Sequence, residues 1–129
     1  MVRRFVPDAG DIVWLEFSPQ VGYEQAGHKP ALVLSPAACN SKTGTMVCCP
    51  MISQIKGYPF KVIIHADGFN GAVLSDQVIN IDWHTHKATP KGKASADELD
   101  EVRAKISVLQ GIQSGSPVGL TYRMNTCVT

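Results

Sequence analysis

The chain has 129 residues, 44% of them hydrophobic, and its 12 Lys and Arg against 11 Asp and Glu give a formal net charge of +1. That length supports one domain with its own hydrophobic core and no need of covalent staples. The longest apolar stretches are strand-sized, which excludes a membrane-spanning helix.

The first residues, "MVRRFVPDAGD", carry two arginines but no apolar run after them, and do not read as a signal peptide. The four cysteines, Cys39, Cys48, Cys49 and Cys127, form no Cys-x-x-Cys pair. Their spacing supports neither a zinc site nor a disulfide framework, so a reduced, cytoplasmic protein is expected.

Taken in chain order, Ile12–Phe17 reads as a first strand and Ala31–Leu34 as a second, with the polar loop "SPQVGYEQAGHKP" between them. His28, Lys29 and Pro30 form the seam. Proline fixes its own φ and pushes the preceding residue into extended backbone. Lys29 is therefore held on stiff backbone beside a loop, a suitable place for a group that meets a substrate. After "NSKTG" comes a third strand, Thr45–Cys49, on which the adjacent Cys48 and Cys49 point to opposite faces. "PMISQIKGYPF" follows, with Ser53 and Lys56, and then strands at Phe60–Ile64, Ala72–Ser75 and Val78–Ile81. The turn in "LSDQV" carries Asp76 and Gln77. "HTH" at 84–86 puts two histidines on one strand face without a third ligand nearby, and reads as exposed or structural.

No helical pattern occurs before residue 95, so parallel βαβ units are excluded. An antiparallel sheet, sandwich or small barrel is predicted, mainly β with one or more short helices (α+β). The helix spans about 96–110. Ser95 and Glu98 form a capping box, Leu99, Val102, Ile106 and Leu109 make an apolar stripe, and Gly111 is the stop. Beyond it, "IQSGSPVGLTYRMNTCVT" has no period. A domain over 1–111 and a poorly ordered tail over 112–129 are expected.

Charge is distributed unevenly. Gln25 to Ala66 contains no acidic residue but holds Lys29, Lys42, Lys56 and Lys61. Trp83 to Ala96 again contains none, but holds Lys87, Lys91, Lys93, His84 and His86. Together these segments suggest a basic face that attracts phosphates. Clustered carboxylates for a two-metal nuclease, a Walker loop and a Gly-x-Ser-x-Gly elbow are all missing. What remains is a set of cationic and polar groups near turns: Lys29, Ser53, Lys56, Asp76 and Gln77. Such a set can process RNA with no metal and no cofactor. The ribose 2′-hydroxyl is an internal nucleophile, so the protein need only move protons and stabilise the phosphorane.

The segments "RFVPDAGDIVWLEFSP", "GYEQAGHKPALVLSP", "NSKTG", "KGYPF", "LSDQV" and "KATPKGK", in this order and spacing, resemble those of the MazF/PemK family of toxin endoribonucleases. The G-x-E-Q-x-G-x-[RK]-P block is the most specific of them. The resemblance implies a small SH3-like barrel and a homodimer that binds single-stranded RNA. It implies cleavage within short motifs to 2′,3′-cyclic phosphate and 5′-OH ends, and a cognate MazE-like antitoxin with an acidic tail. Residue by residue, it implies the catalytic basic group at Lys29, the mobile loop at Glu24 and Gln25, and a polar residue near the substrate path at Gln77. With Lys29, Glu24 and, as a transition-state donor, Ser53 are expected in the catalytic set, and Gln25, His28, Lys56, Asp76 and Gln77 are expected as substrate contacts. Two positions depart from the family pattern. Lys29 stands where arginine is common and loses the planar fork. Ile52 stands where the family places a catalytic threonine, and offers no hydrogen bond. Two rival readings follow: a weakened family member that binds RNA or antitoxin, and a gyrase-poisoning toxin of the same architecture.

Overall fold

The computed structural model describes residues 5–17, 27–53, 57–66 and 69–111. Among them are strands β1 (Asp11–Phe17), β2 (Gly27–Val33), β3 (Thr45–Ile52), β4 (Lys61–Ala66), β5 (Phe69–Leu74), β6 (Ile79–Asp82) and β7 (Thr89–Lys93). Helix α1 (Ala37–Thr43) lies between β2 and β3, and α2 (Ala96–Leu109) follows β7. The strands pair in the order β4-β5-β3-β2-β1-β7, every pair antiparallel. On one edge β3 carries β6 along Thr45–Cys48 and β5 along Met51–Ile52; on the other it carries β2. The result is the curled antiparallel sheet that the strand pattern predicts.

Both faces of this sheet are buried. Ile12, Leu32, Cys49, Met51, Val62, Ile64 and Val73 pack beneath Leu99 and Val102 of α2. Val13, Leu15, Ala31, Val33, Met46 and Cys48 form a second cluster with Trp83 on the opposite face. Two-sided burial explains why β1 and β3 read as near-continuous apolar runs. Cys48 and Cys49 do point to opposite faces, one into each cluster. Burial pushes both thiols up to about 12, with the Asp76 carboxylate adding to it at Cys49, so both stay protonated and inert. Cys39, in contrast, is disulfide-bonded, which corrects the expectation of four reduced thiols. The remaining cysteine, Cys127, lies outside the described residues.

Two elements depart from the sequence reading. Helix α1 has no apolar stripe; its one buried residue is Asn40. The Asn40 amide donates to the carbonyls of Pro7 at 2.8 Å and Ser35 at 2.9 Å, while its Oδ1 accepts from the Ser35 hydroxyl at 2.7 Å. The Asn40 carbonyl accepts from Trp83 Nε1 at 3.0 Å. A helix held by one polar side chain gives no periodic signal. Strand β7, "TPKGK", contains Pro90 and Gly92, both poor strand formers, yet pairs with β1. It lies at the end of the strand order, where Pro and Lys are tolerated and discourage further pairing.

Helix α2 matches the reading closely. The Glu98 amide donates to Ser95 Oγ at 3.1 Å, and the Ser95 amide donates to Glu98 Oε1 at 2.9 Å, completing the capping box. The stripe is shorter than predicted: Leu99 and Val102 are buried and Ile106 packs against the core, but Leu109 is 41% exposed.

Glu98 also ties the helix to the sheet, since its Oε2 accepts from the His65 amide of β4 at 2.9 Å. Burial disfavours the carboxylate, but the hydrogen bonds from His65 and Ser95 outweigh it and hold its pKa below the usual glutamate range. A depressed pKa contributes stability that is present above the unfolded value of about 4.3 and lost as pH falls through the folded one. In urea unfolding, Glu98→Gln should therefore be less stable than wild type by about 1 kcal/mol at pH 7, and the gap should close as the pH falls below about 4.

Candidate active site

The register of the β1–β2 hairpin fixes where Lys29 points. Its pairs are Trp14↔Pro30, Leu15↔Lys29, Glu16↔His28 and Phe17↔Gly27. Paired residues share a face, so Lys29 projects on the side of Leu15 and Ala31, beyond the edge of the second cluster. The β2–β3 pairs are Ala31↔Pro50, Leu32↔Cys49 and Val33↔Cys48. By strand alternation Lys29 shares a face with Ala31 and Ile52 with Pro50, so Lys29 and Ile52 lie on the same face of the sheet. Ile52 in turn pairs with Ala72 of β5, and Ala72 with Ile63 of β4. A half-buried cation thus faces a largely apolar strip. Lys29 lies inside β2, not before the strand as the sequence suggests, because the ladder runs on to Gly27.

Ser53 occupies the bend after β3, exposed and outside the ladder. Asp76 and Gln77 are exposed in the turn after β5. The Ser75 amide and hydroxyl both donate to the Phe60 carbonyl, at 3.1 and 2.5 Å, joining the "LSDQV" and "KGYPF" turns into one corner. There the Tyr58 hydroxyl donates to Asp76 Oδ2. That bond to Asp76 raises the Tyr58 phenol above its ordinary range, against an opposing hydrogen bond from Gln77. Asp76 is four residues beyond Ala72, so this corner lies up to about 13 Å along the sheet from the Lys29–Ile52 face. His28 is exposed on the face opposite Lys29. Glu24, Gln25 and Lys56 lie outside the described residues.

The segment from Trp83 to Ala96 has no acids in sequence, but acids reach it in space. Lys93 Nζ is 2.9 Å from Asp11 Oδ1, and Lys87 Nζ is 3.5 Å from Glu16 Oε1. Lys91 Nζ lies 4.2 Å from the centre of the Trp14 ring. Sequence reasoning passed over Tyr58, Glu16 and Trp14 because their partners are distant along the chain. The "HTH" stretch is a turn and not a strand: Asp82 Oδ1 accepts from the amides of His84 at 2.9 Å and Thr85 at 2.8 Å. Those bonds, Thr85 first, hold the Asp82 carboxyl below its usual range. Among the described residues, no group of three or more His, Cys, Asp or Glu side chains could hold a metal ion.

Comparison with known proteins places this arrangement in a family. The family described as PemK-like, MazF-like toxin of type II toxin–antitoxin system matches residues 8–109. The endoribonuclease toxin MazF of Escherichia coli K12 is 50% identical over 111 residues, covering 86% of this chain and 100% of the relative. The crystal structure of MazF from Deinococcus radiodurans superposes with a TM-score of 0.74 at 51% identity, over 84% of this chain and 100% of that one. A MazE–MazF structure from the same organism gives 0.80 at 50% identity, over 85% and 100%.

The Tyr58–Asp76 pair has a spectroscopic consequence. The Tyr58 phenol should titrate above the ordinary value of about 10, read as the 295 nm absorbance difference between wild type and Tyr58→Phe. Asp76→Asn should bring that titration down. An unchanged midpoint in Asp76→Asn would remove Asp76 as the cause.

Proposed function

Because the chain belongs to the PemK-like, MazF-like toxin family of type II toxin–antitoxin systems, we propose that it is a toxin endoribonuclease. It cleaves single-stranded RNA, mRNA included, at short sequence motifs without a metal, and so inhibits translation and growth. The observation that best supports this reading is the strand alternation, which puts Lys29 and Ile52 on one face of the sheet. That position in the site is the one the family pattern gives to its catalytic basic residue.

In this reading the ribose 2′-oxygen attacks the adjacent phosphorus and gives its proton to solvent water, which afterwards restores the proton that Lys29 delivers. The P–O5′ bond breaks, and the leaving 5′-oxygen gains a proton. The products are a 2′,3′-cyclic phosphate and a 5′-OH end. The Lys29 ammonium donates to the phosphorane oxygens and delivers the proton to the 5′-oxygen. As a lysine it acts as a point charge and not as a bidentate fork. Glu24 is assigned to the same catalytic group on the family motif alone. Ile52 supplies no hydrogen bond, and Ser53, in the bend next to it, is the nearest hydroxyl along the chain. Gln25, His28, Lys56, Asp76 and Gln77 are assigned to the RNA path.

The Deinococcus relative has been solved with MazE, which supports a cognate MazE-like antitoxin as this chain's partner. An acidic antitoxin segment and RNA would compete for the same cations. We assign the active form to a homodimer in the cytoplasm. No helix among the described residues is long and apolar enough to cross a membrane.

Purified protein incubated with a long RNA in EDTA should cut it at a recurrent motif, read by primer extension. Lys29→Ala should remove most cleavage with the fold intact by circular dichroism, and Lys29→Arg should retain it. Cutting by Lys29→Ala at the wild-type rate would exclude the assigned role. RNA binding without cleavage would identify a weakened binder, and gyrase inhibition a different toxin class. Ile52→Thr should add one hydrogen bond to a charged phosphate, about 1.5–3 kcal/mol, and so accelerate cleavage roughly ten- to a hundredfold. The motif should not change, because phosphate contacts carry no base information.

A further inference from the structure

Lys29 sits two pairs inside the end of a hairpin, and that end is held by polar contacts. The terminal pair is Phe17↔Gly27, and Gly27 has φ +105 with nothing within 4 Å of where a Cβ would be. It adds neither stiffness nor packing, and terminal ladder pairs open readily. The next pair inward is Glu16↔His28. Glu16 Oε2 lies 3.4 Å from His28 Nε2, and Oε1 lies 3.5 Å from Lys87 Nζ. The Glu16 backbone is bound as well. Its amide donates to the His86 carbonyl at 2.7 Å, and its carbonyl is 3.0 Å from His86 Nδ1, which must donate.

The turn supplying Lys87 and His86 is itself built for the purpose. Asp82 caps two of its amides, His86 stacks at 4.8 Å on Phe17, and Lys87 adopts φ +50, the one left-handed non-glycine residue among those described. The charged and titratable groups around His28 are therefore Glu16 on β1, Lys87 and His86 on the turn, and Lys91, which covers Trp14, whose ring is 6.0 Å from that of His28. Lys29 is on the other face of β2 and does not meet Glu16 through its side chain.

We propose that Glu16 is a positioning residue: by bridging the start of β2 to the β6–β7 turn, its carboxylate keeps the hairpin end closed and so holds the backbone of Lys29 in register. The link to chemistry rests on the reading of Lys29 as the catalytic cation; the hold on the backbone does not. One arm of the bridge runs to the His28 imidazole and the other to the Lys87 ammonium. Each exposed pair shifts an open–closed equilibrium by a factor of about two to five.

The test compares wild type with Glu16→Gln, which keeps the shape and removes the charge, in the full chain. Amide hydrogen exchange at His28 and Lys29, read by NMR at pH 6, should be faster in Glu16→Gln by about two- to tenfold. The single-turnover cleavage rate at saturating RNA should fall by a similar factor, with RNA affinity unchanged. In the Lys87→Gln background, the difference that Glu16→Gln makes to exchange should be smaller, because only the His28 arm remains to be lost. Adding His28→Gln to Glu16→Gln should speed exchange no further. Unchanged exchange at Lys29 in Glu16→Gln overturns the proposal whatever the activity. Faster exchange with an unchanged cleavage rate overturns the link to catalysis and counts against the Lys29 reading instead.

Discussion

β3 has three strand partners at once, and the register of the whole sheet depends on it. Its first half bonds β6 and its last two residues bond β5 on one edge, while its middle bonds β2 on the other. A slip of one residue would break three ladders together. It would also exchange Met46 and Cys48 with Cys49 and Met51 between two clusters of different shape. Burying one such side chain contributes about 1.5–3 kcal/mol, and a domain has only about 5–15 in total. Several misplaced side chains would use up that margin, so the register has no close competitor.

The site lies where the second cluster ends. Along β2 the residues on that face run from buried Val33 through buried Ala31 to half-buried Lys29, and along β3 from Met46 and Cys48 to Pro50 and Ile52. The lysine stem can therefore lie against apolar surface while its ammonium reaches solvent. A phosphate arriving there meets a cation at the rim of a close-packed sheet. The rim is not uniformly basic, because Asp11 and Glu16 each hold a lysine that the sequence alone leaves unpaired.

Elements with a local signature were legible: the strands at Ile12–Phe17 and Thr45–Cys49, the opposed Cys48 and Cys49, and the Ser95–Glu98 box. Elements whose cause is a distant partner were not. Asn40 secures α1 through Pro7, Ser35 and Trp83, none of which lies in the helix. Strand β7 exists because β1 has a free edge to pair with, in spite of Pro90 and Gly92. The start of β2 at Gly27 follows from cross-strand pairing with Phe17 and Glu16, whereas the loop composition suggests a later start. The same division applies to the site. Lys29 was visible beside Pro30 and in a specific motif. The face it shares with Ile52, the Tyr58–Asp76 bond and the Glu16 bridge all join residues far apart in sequence.

Ile52 gives these long-range contacts their weight. A site with a hydroxyl opposite its cation shares the transition-state charge between two groups, and one can partly compensate for drift in the other. In the proposed mechanism, with isoleucine there, charge stabilisation falls more heavily on Lys29, a flexible side chain with no planar fork to orient it. Preorganisation must then come from the backbone that carries it. Pro30 fixes the residue after Lys29, and the Glu16–His28 pair fixes the residue before it. Between them, Leu15 anchors the paired position in the buried cluster. A cation that can be aimed only through its Cα needs both flanks held, and the structure holds one by covalent geometry and the other by charge.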